Sequence, residues 1–241
     1  MKQFIPCSNC QQGYIYSLDS VIKCECLKHY QSEILFQLRL EKAGIKDFNL
    51  TFDNYKGKDA AGNLIKLKKY CYNSLSTYRY NSHLYLTGIN GTQKSTLAKI
   101  ILFNCIDFGL TGKFILMNQL MDVICNPMAD EQDREKISFL KTCDVLVIDD
   151  CFSAKKVTLY KNSRDYQMSF LDSFFRERLE VNKRNTIFTA NVKIDEIEKN
   201  GFSYDIMNLL KREIQIRNGE LVFSDVYVDN ALDIDIHKLW D

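Results

Sequence analysis

From Lys46 onward the chain alternates short apolar runs with longer amphipathic ones. Leu84-Tyr-Leu-Thr-Gly88, Phe114 to Met117, Asp144-Val-Leu-Val-Ile-Asp149 and Thr186-Ile-Phe-Thr-Ala190 have the length and apolar content of buried strands. Between them, Ser95 to Phe108, Gln119 to Lys141 and Tyr166 to Val181 read as helices; in the last, Met168, Leu171, Phe174, Phe175 and Leu179 share one face. Such alternation predicts an α/β fold, a parallel sheet covered by helices on both faces. Asp205 to Arg212 predicts a further helix. After it, Glu213 to Arg217 and Glu220 to Phe223 flank Asn218-Gly219, the pattern of a hairpin. Earlier, Gln31 to Ala43 places Ile34, Leu35, Leu38 and Leu40 at near-helical spacing and stops at Gly44. It predicts a short amphipathic helix, either a connector or the first helix of the main domain. The expected division is a module over 1–30, a connector helix over 31–45 and an α/β domain over 46–241.

Composition narrows the class without changing this picture. The 241 residues are 46% hydrophobic and 26% charged, with two prolines and ten glycines, which excludes a long disordered or fibrous stretch. Lys+Arg 32 against Asp+Glu 31 leaves a net charge of +1, so DNA contact requires a local patch. Lys56, Lys58, Lys66, Lys68 and Lys69 form one basic stretch; Lys155, Lys156, Lys161 and Arg164 form another. Such stretches are more often simply solvated faces, whereas true phosphate contacts would make binding fall steeply with salt. The segment Asp225 to Asp241 carries five aspartates against Lys238 and should avoid DNA. The start MKQFIPCSNC lacks a secretory apolar run, and Ile100 to Leu110 is too short to span a bilayer and is interrupted by Asn104 and Asp107. A soluble, cytoplasmic protein with no membrane partner is expected.

Cysteine usage separates two populations. Cys71, Cys105, Cys125, Cys143 and Cys151 are scattered through apolar sequence and read as buried thiols. Cys7, Cys10, Cys24 and Cys26 follow C-x2-C-x13-C-x-C, which can set four sulfurs around one zinc ion. A module of about 30 residues has too little core to fold alone, and structural zinc supplies roughly 10–16 kcal/mol in small finger peptides. The C-x-C pair is tight, and His29 follows closely, so either Cys26 or His29 completes the set.

The nucleotide chemistry lies at strand ends. Gly88-Ile89-Asn90-Gly91-Thr92-Gln93-Lys94-Ser95 joins a strand to a helix and approximates the phosphate-loop pattern G-x-x-x-x-G-K-[ST]. Its backbone amides, with Thr96 in the first helical turn, would cradle phosphates at a helix N-terminus. Lys94 would reach the terminal phosphates and Ser95 would bind Mg²⁺. Gln93 stands where the pattern has its second glycine, which predicts crowding and a strained backbone, partly relieved by Gly91. Asp149, at the carboxyl end of a buried strand, would hold Mg²⁺, and Asp150 would polarise an attacking water. Asp is shorter than the more usual Glu, so slow hydrolysis is expected. Asn191, closing Thr189-Ala190-Asn191, could touch the γ-phosphate or the water. Arg212, ahead of Lys211 and Arg217, could serve a neighbouring subunit as an arginine finger; its plainer role is to complete a helix dipole.

Together these residues resemble the AAA+ ATPases of the bacterial helicase-loader group, the DnaC/DnaI type, whose core the IstB-type transposition ATPases share. The marks are the N-terminal cysteine cluster, KAGIKDFNLTFDNYKG, YLTGINGTQKSTLAK, DVLVIDD and FLDSFFRERLEVNKRNTIFTAN. The resemblance implies an AAA+ P-loop three-layer sandwich without a full lid domain, binding ATP and Mg²⁺. It implies that Phe52 and Tyr55 lie near the adenine, that Asn191 is the first sensor, and that Asn118 to Leu140 is an insertion that arranges subunits around single-stranded DNA. The implied function is a homo-oligomeric loader that grips a replicative DNA helicase through the zinc module and delivers it to single-stranded DNA. A bacterial, phage or mobile-element origin is equally compatible. Two alternatives stand beside it: a transposition helper ATPase and a catalytically weak adaptor, the latter motivated by Gln93.

Overall fold

The computed structural model describes residues 3–46, 51–55, 62–76, 82–126, 130–153, 164–215 and 220–223. Strands β1 (Tyr14–Tyr16) and β2 (Val21–Lys23) form a small antiparallel hairpin. Helix α1 (Glu25–Ala43) follows at once, six residues earlier than the apolar pattern suggests. It ends as expected at Gly44, whose φ of 78° lets its N–H turn back onto Leu40 and Glu41 carbonyls. The helix lies on the main domain: Phe36 meets the Phe103 ring edge-on at 5.6 Å, and Leu40 and Ala43 are fully buried. After a 3₁₀ turn at Phe52–Asn54 comes α2 (Asn63–Ser76).

The remaining elements are β3 (His83–Gly88), α3 (Lys94–Asp107), β4 (Gly112–Leu116), α4 (Met117–Ile124), α5 (Glu131–Thr142), β5 (Val145–Cys151), α6 (Arg164–Phe175), β6 (Asn185–Ala190), α7 (Tyr204–Leu210) and β7 (Glu220–Phe223). The five long-range strands form one sheet in the order β4-β5-β6-β3-β7, and every pair is parallel. Alternation assigns its two faces. Leu84, Leu86, Val145, Val147 and Ile187 pack with α1, α2 and α3. Tyr85, Leu146, Ile148 and Phe188 pack with α4, α6 and α7. This is the three-layer sandwich that the sequence predicts. Its strand order sends the chain from β3 past two strands to β4 and brings it back to β6. That reversal puts a topological switch point at the carboxyl end of the sheet, where open α/β sheets bind ligands.

The expected hairpin after α7 does not form. Lys211–Gln215 continues α7 as a wider π-type turn, and Glu220–Phe223 pairs in parallel with β3, Tyr85 opposite Glu220. Leu210 and Ile214, four residues apart, are both fully buried. Burying that helical face outweighs the local turn preference of Asn218-Gly219, which lies outside the described residues. Of the scattered thiols, Cys71, Cys105, Cys143 and Cys151 are buried as expected, whereas Cys125 is only half-buried.

One buried cation ties the far end of the sheet together. Arg178 is fully buried in the π-type turn that extends α6. Its Nη1 donates to the Leu140 and Cys143 carbonyls at 2.7 and 3.1 Å, Nη2 to Asn185 O at 2.7 Å and Nε to Thr186 Oγ1 at 2.9 Å. Burial lowers its pKa from the usual guanidinium range. Among the described residues no helix is long and apolar enough to cross a membrane.

Candidate nucleotide site and cysteine cluster

The loop after β3 curls because three of its residues take positive φ: Gly88 at 149°, Gly91 at 86° and Gln93 at 56°. Gln93 has ψ 27°, so the residue replacing the second glycine occupies the left-handed region. The strain anticipated from sequence is therefore present, at a cost of roughly 1–2 kcal/mol for an L-residue. The fold tolerates it because Gln93 caps α3, its carbonyl accepting from Leu97 N at 3.0 Å. Lys94 is buried, its ammonium inside the loop, donating to Gly88 O at 2.9 Å, Ile89 O at 2.8 Å and Thr92 Oγ1 at 3.1 Å. Thr92 Oγ1 in turn donates to Ile89 O at 2.9 Å. A cation at the mouth of a fourteen-residue helix suits phosphate.

The acids converge on the same end of the sheet. Ser95 Oγ donates to Asp149 Oδ1 at 2.7 Å, and Thr189 Oγ1 donates to the same oxygen. Asp149 is buried and Asp150 half-buried. Asp150 has φ 57°, and its N–H donates to Thr189 Oγ1 at 3.1 Å. A hydroxyl beside a carboxylate, both oxygen donors, fits a hard cation such as Mg²⁺. Asn191 Nδ2 donates to Asn90 Oδ1 at 2.8 Å, which joins the end of β6 to the loop. Ile89, Asn90 and Gly91 are exposed at the loop's tip, and Thr96 lies in the first turn of α3. The structure thus brings Lys94, Ser95, Asp149, Asp150 and Asn191 to one end of the sheet.

The remaining expected site residues lie apart from these bonds. Tyr55 is buried in the core on the α3 side, and Phe52 packs against that core with Lys68 Nζ 5.9 Å from its ring centroid. Arg212 is half-exposed and paired within its own chain, with Glu180 and with Glu213 at 3.2 Å. Lys211 pairs with Asp195 at 2.5 Å. Lys66, Lys68 and Lys69 are exposed on α2, while Arg164 Nε donates to Gly201 O at 2.9 Å. Lys56, Lys58, Lys155, Lys156, Lys161, Arg217 and the acidic segment from Asp225 lie outside the described residues. Sequence reading missed the hydroxyl of Thr189 and the amide of Asn90 as partners of the acids and of Asn191.

At the other end of the chain, the sulfurs of Cys7, Cys10, Cys24 and Cys26 all lie within 4.8 Å of one another. Cys7 is 3.6 Å from Cys10 and from Cys24, and Cys10 is 3.4 Å from Cys26. These are close to the ~3.8 Å edge of a tetrahedron with zinc–sulfur bonds of about 2.3 Å, and far from a disulfide. A hydrogen bond from the Cys7 backbone lowers the Cys26 thiol to about 7, while burial pushes Cys10 up to about 12. His29 is exposed and outside the cluster, so Cys26, not His29, is the residue placed to complete a four-sulfur set. Cys24 caps α1 and its N–H donates to Gly13 O at 2.7 Å. Gly13 has φ 90°, and a Cβ there would meet Leu27 Cβ at 2.7 Å, so only glycine lets the hairpin close onto α1.

No protein-family model matches the sequence, and no curated protein matches it. Solved structures do. The DnaC helicase loader is similar over 73% of this chain and 98% of its own, with a TM-score of 0.56 at 20% identity. DnaI is similar over 73% of this chain and 88% of its own, with a TM-score of 0.56 at 14% identity. This chain shares the α/β fold of these structures, a parallel sheet flanked by helices. The replication initiator DnaA, bound to AMPPCP and single-stranded DNA, gives a TM-score of 0.55 at 14% identity over 73% of this chain. The chain spans about half the length of that initiator (50%) and of a DNA replication initiation factor (51%). At such identities the likeness concerns the fold; the chemistry rests on this chain's own residues.

Proposed function

We propose that the protein is an ATP-dependent loader that binds a replicative DNA helicase and delivers it onto single-stranded DNA. The observation that supports ATP chemistry is the convergence of Lys94, Ser95, Asp149, Asp150 and Asn191 at one end of the sheet of an AAA+ fold. Bound magnesium would neutralise charge on the β- and γ-phosphates. Lys94 exchanges its loop carbonyls for the terminal phosphates, and the amides of residues 89–96 hold the others. Ser95 and Asp149 hold the metal. Asp150 orients and deprotonates the attacking water, and Asn191 reports the γ-phosphate to the loop through Asn90. Phe52 and Tyr55, beside and in the core on the α3 side, lie near the adenine. Arg212 completes the site of a neighbouring copy in a homo-oligomer, leaving Glu180 and Glu213 to do so.

The loader reading draws on the four-cysteine module. It is joined by α1 directly to the face of the ATPase core, so a partner held by the module is mechanically coupled to the core. Zinc in that module and a helicase as its partner belong to the same proposal. The left-handed Gln93 favours a second reading, an adaptor with weakened catalysis. Purified full-length protein should hydrolyse ATP with Mg²⁺, lose that activity in Asp149→Ala, and co-elute with a hexameric replicative helicase. Recovery of a transposase instead would favour a transposition helper, and absence of hydrolysis with retained helicase binding would favour the adaptor.

A further inference from the structure

The ladder between β5 and β6 is regular up to Ile148 opposite Phe188 and resumes at Cys151 opposite Ala190. Between these pairs, two residues of β5, Asp149 and Asp150, stand against one residue of β6, Thr189. That count defines a β-bulge. The core confirms the extra residue. Leu146 and Ile148 face the α6 side, and strict alternation would turn Cys151 to the other side; yet Cys151 lies in the same cluster as Ile148. The bulge therefore removes both aspartates from the alternation that would otherwise send them to opposite faces of the sheet.

We infer that Thr189 is the positioning residue that locks this bulge and aims both aspartates, a role that rests on the ATPase reading for its functional half. Its hydroxyl has one proton and gives it to Asp149 Oδ1; its oxygen accepts the Asp150 N–H at 3.1 Å. Thr189 is 2% exposed, so these bonds are sheltered from bulk solvent. The Asp150 N–H sits in a residue with φ 57° inside the register shift, and there it donates to a side-chain hydroxyl of the neighbouring strand. On the acceptor side, Asp149 Oδ1 receives both Ser95 and Thr189, which fixes the carboxylate plane that a cation would meet. Two residues on, Asn191 of the same strand end grips Asn90 of the loop. The end of β6 thus sets the acids on one side and the phosphate loop on the other. Partners that orient metal ligands typically matter by about 10–100-fold in metal affinity or activity.

The test compares Thr189→Val, which keeps the shape and loses the hydroxyl, with Thr189→Ser, which keeps the hydroxyl and loses the methyl. Two readouts are taken on the full-length protein: the affinity for an ATP analogue in EDTA and in Mg²⁺, and hydrogen exchange of the Asp150 amide without nucleotide. Thr189→Val is expected to bind the analogue in EDTA as the wild type does and to lose about tenfold or more of the gain that Mg²⁺ brings. Its Asp150 amide should exchange faster while Val145 to Ile148 stay protected. Thr189→Ser should recover both. If Thr189→Val does not fold, Thr189→Ala replaces it. A hydroxyl-free variant that keeps the Mg²⁺ gain and the Asp150 protection overturns the inference, as does a serine variant that fails in the same way. A wild-type protein that binds no analogue overturns the ATPase reading, and the exchange result then decides the bulge lock by itself.

Discussion

Gln93 is where local backbone energy and proposed chemistry meet, and a substitution series there separates them. Its φ of 56° and ψ of 27° place an L-residue in the left-handed region, at about 1–2 kcal/mol. Glycine removes that cost but gives back about 0.5–1 kcal/mol through its freer unfolded chain. The net expectation for Gln93→Gly is a stabilisation of about 0.5–1 kcal/mol, or roughly 1–4 °C in Tm for a chain of this length. Gln93→Ala keeps a Cβ and hence the strain, so it should lie within about 0.5 kcal/mol of wild type. Gln93→Val adds a β-branch where φ is positive and should cost about 1 kcal/mol or more. Thermal or denaturant unfolding of the four proteins reads the order Val, then Gln and Ala, then Gly. A flat series, or a glycine variant less stable than alanine, would refute the left-handed cap. Because the same change clears space beside the phosphates, the glycine variant should also bind nucleotide at least as tightly as wild type.

Other consequences can be checked independently. Arg178→Met keeps most of the bulk but strips donors from the Leu140, Cys143 and Asn185 carbonyls, and should cost about 3–5 kcal/mol in denaturant unfolding; a loss below about 1 kcal/mol would show that water or neighbours replace the guanidinium. Metal analysis should find about one zinc per chain, with chelation or Cys26→Ser lowering the stability of the β1–β2 module while the sheet stays folded; a metal-free preparation with an equally stable module would remove zinc from the account. Arg212→Ala should leave nucleotide binding intact and lower turnover of the oligomer by about tenfold or more; unchanged turnover would place the finger elsewhere.

The sheet was legible because its strands are apolar runs buried on both faces, such as Val145 to Ile148, and they leave little room for another reading. The loop between β3 and α3 and its lysine were legible because the spacing between strand and helix is itself the signal. The β1–β2 hairpin was not. Ile15, Tyr16, Val21 and Ile22 are all exposed, so there is no buried face for a period of two to reveal. Helix α2 did carry a signal, with Leu67, Tyr70 and Cys71 buried at helical spacing, but its lysines read first as a basic stretch. The start of α1 was hidden because its first turn buries a single residue, Leu27, and is capped by Cys24 of the cysteine cluster, with no apolar stripe to mark it. The supposed hairpin strand at Glu213 failed for the opposite reason: a strong local turn signal yielded to the burial of Ile214 next to Leu210. The bulge at Asp149-Asp150 left a trace in the sequence, since Cys151 falls out of step with Leu146 and Ile148. It becomes meaningful only when Thr189 is seen across the ladder.

The most direct measurement is calorimetric titration of the full-length protein with an ATP analogue, with and without Mg²⁺, in wild type and in Lys94→Ala. Saturable binding of one nucleotide per chain, strengthened by Mg²⁺ and lost when the lysine is removed from a protein that remains folded, is the predicted result. No binding by wild type, or binding indifferent both to the metal and to Lys94, would contradict a nucleotide site at the carboxyl ends of β3, β5 and β6.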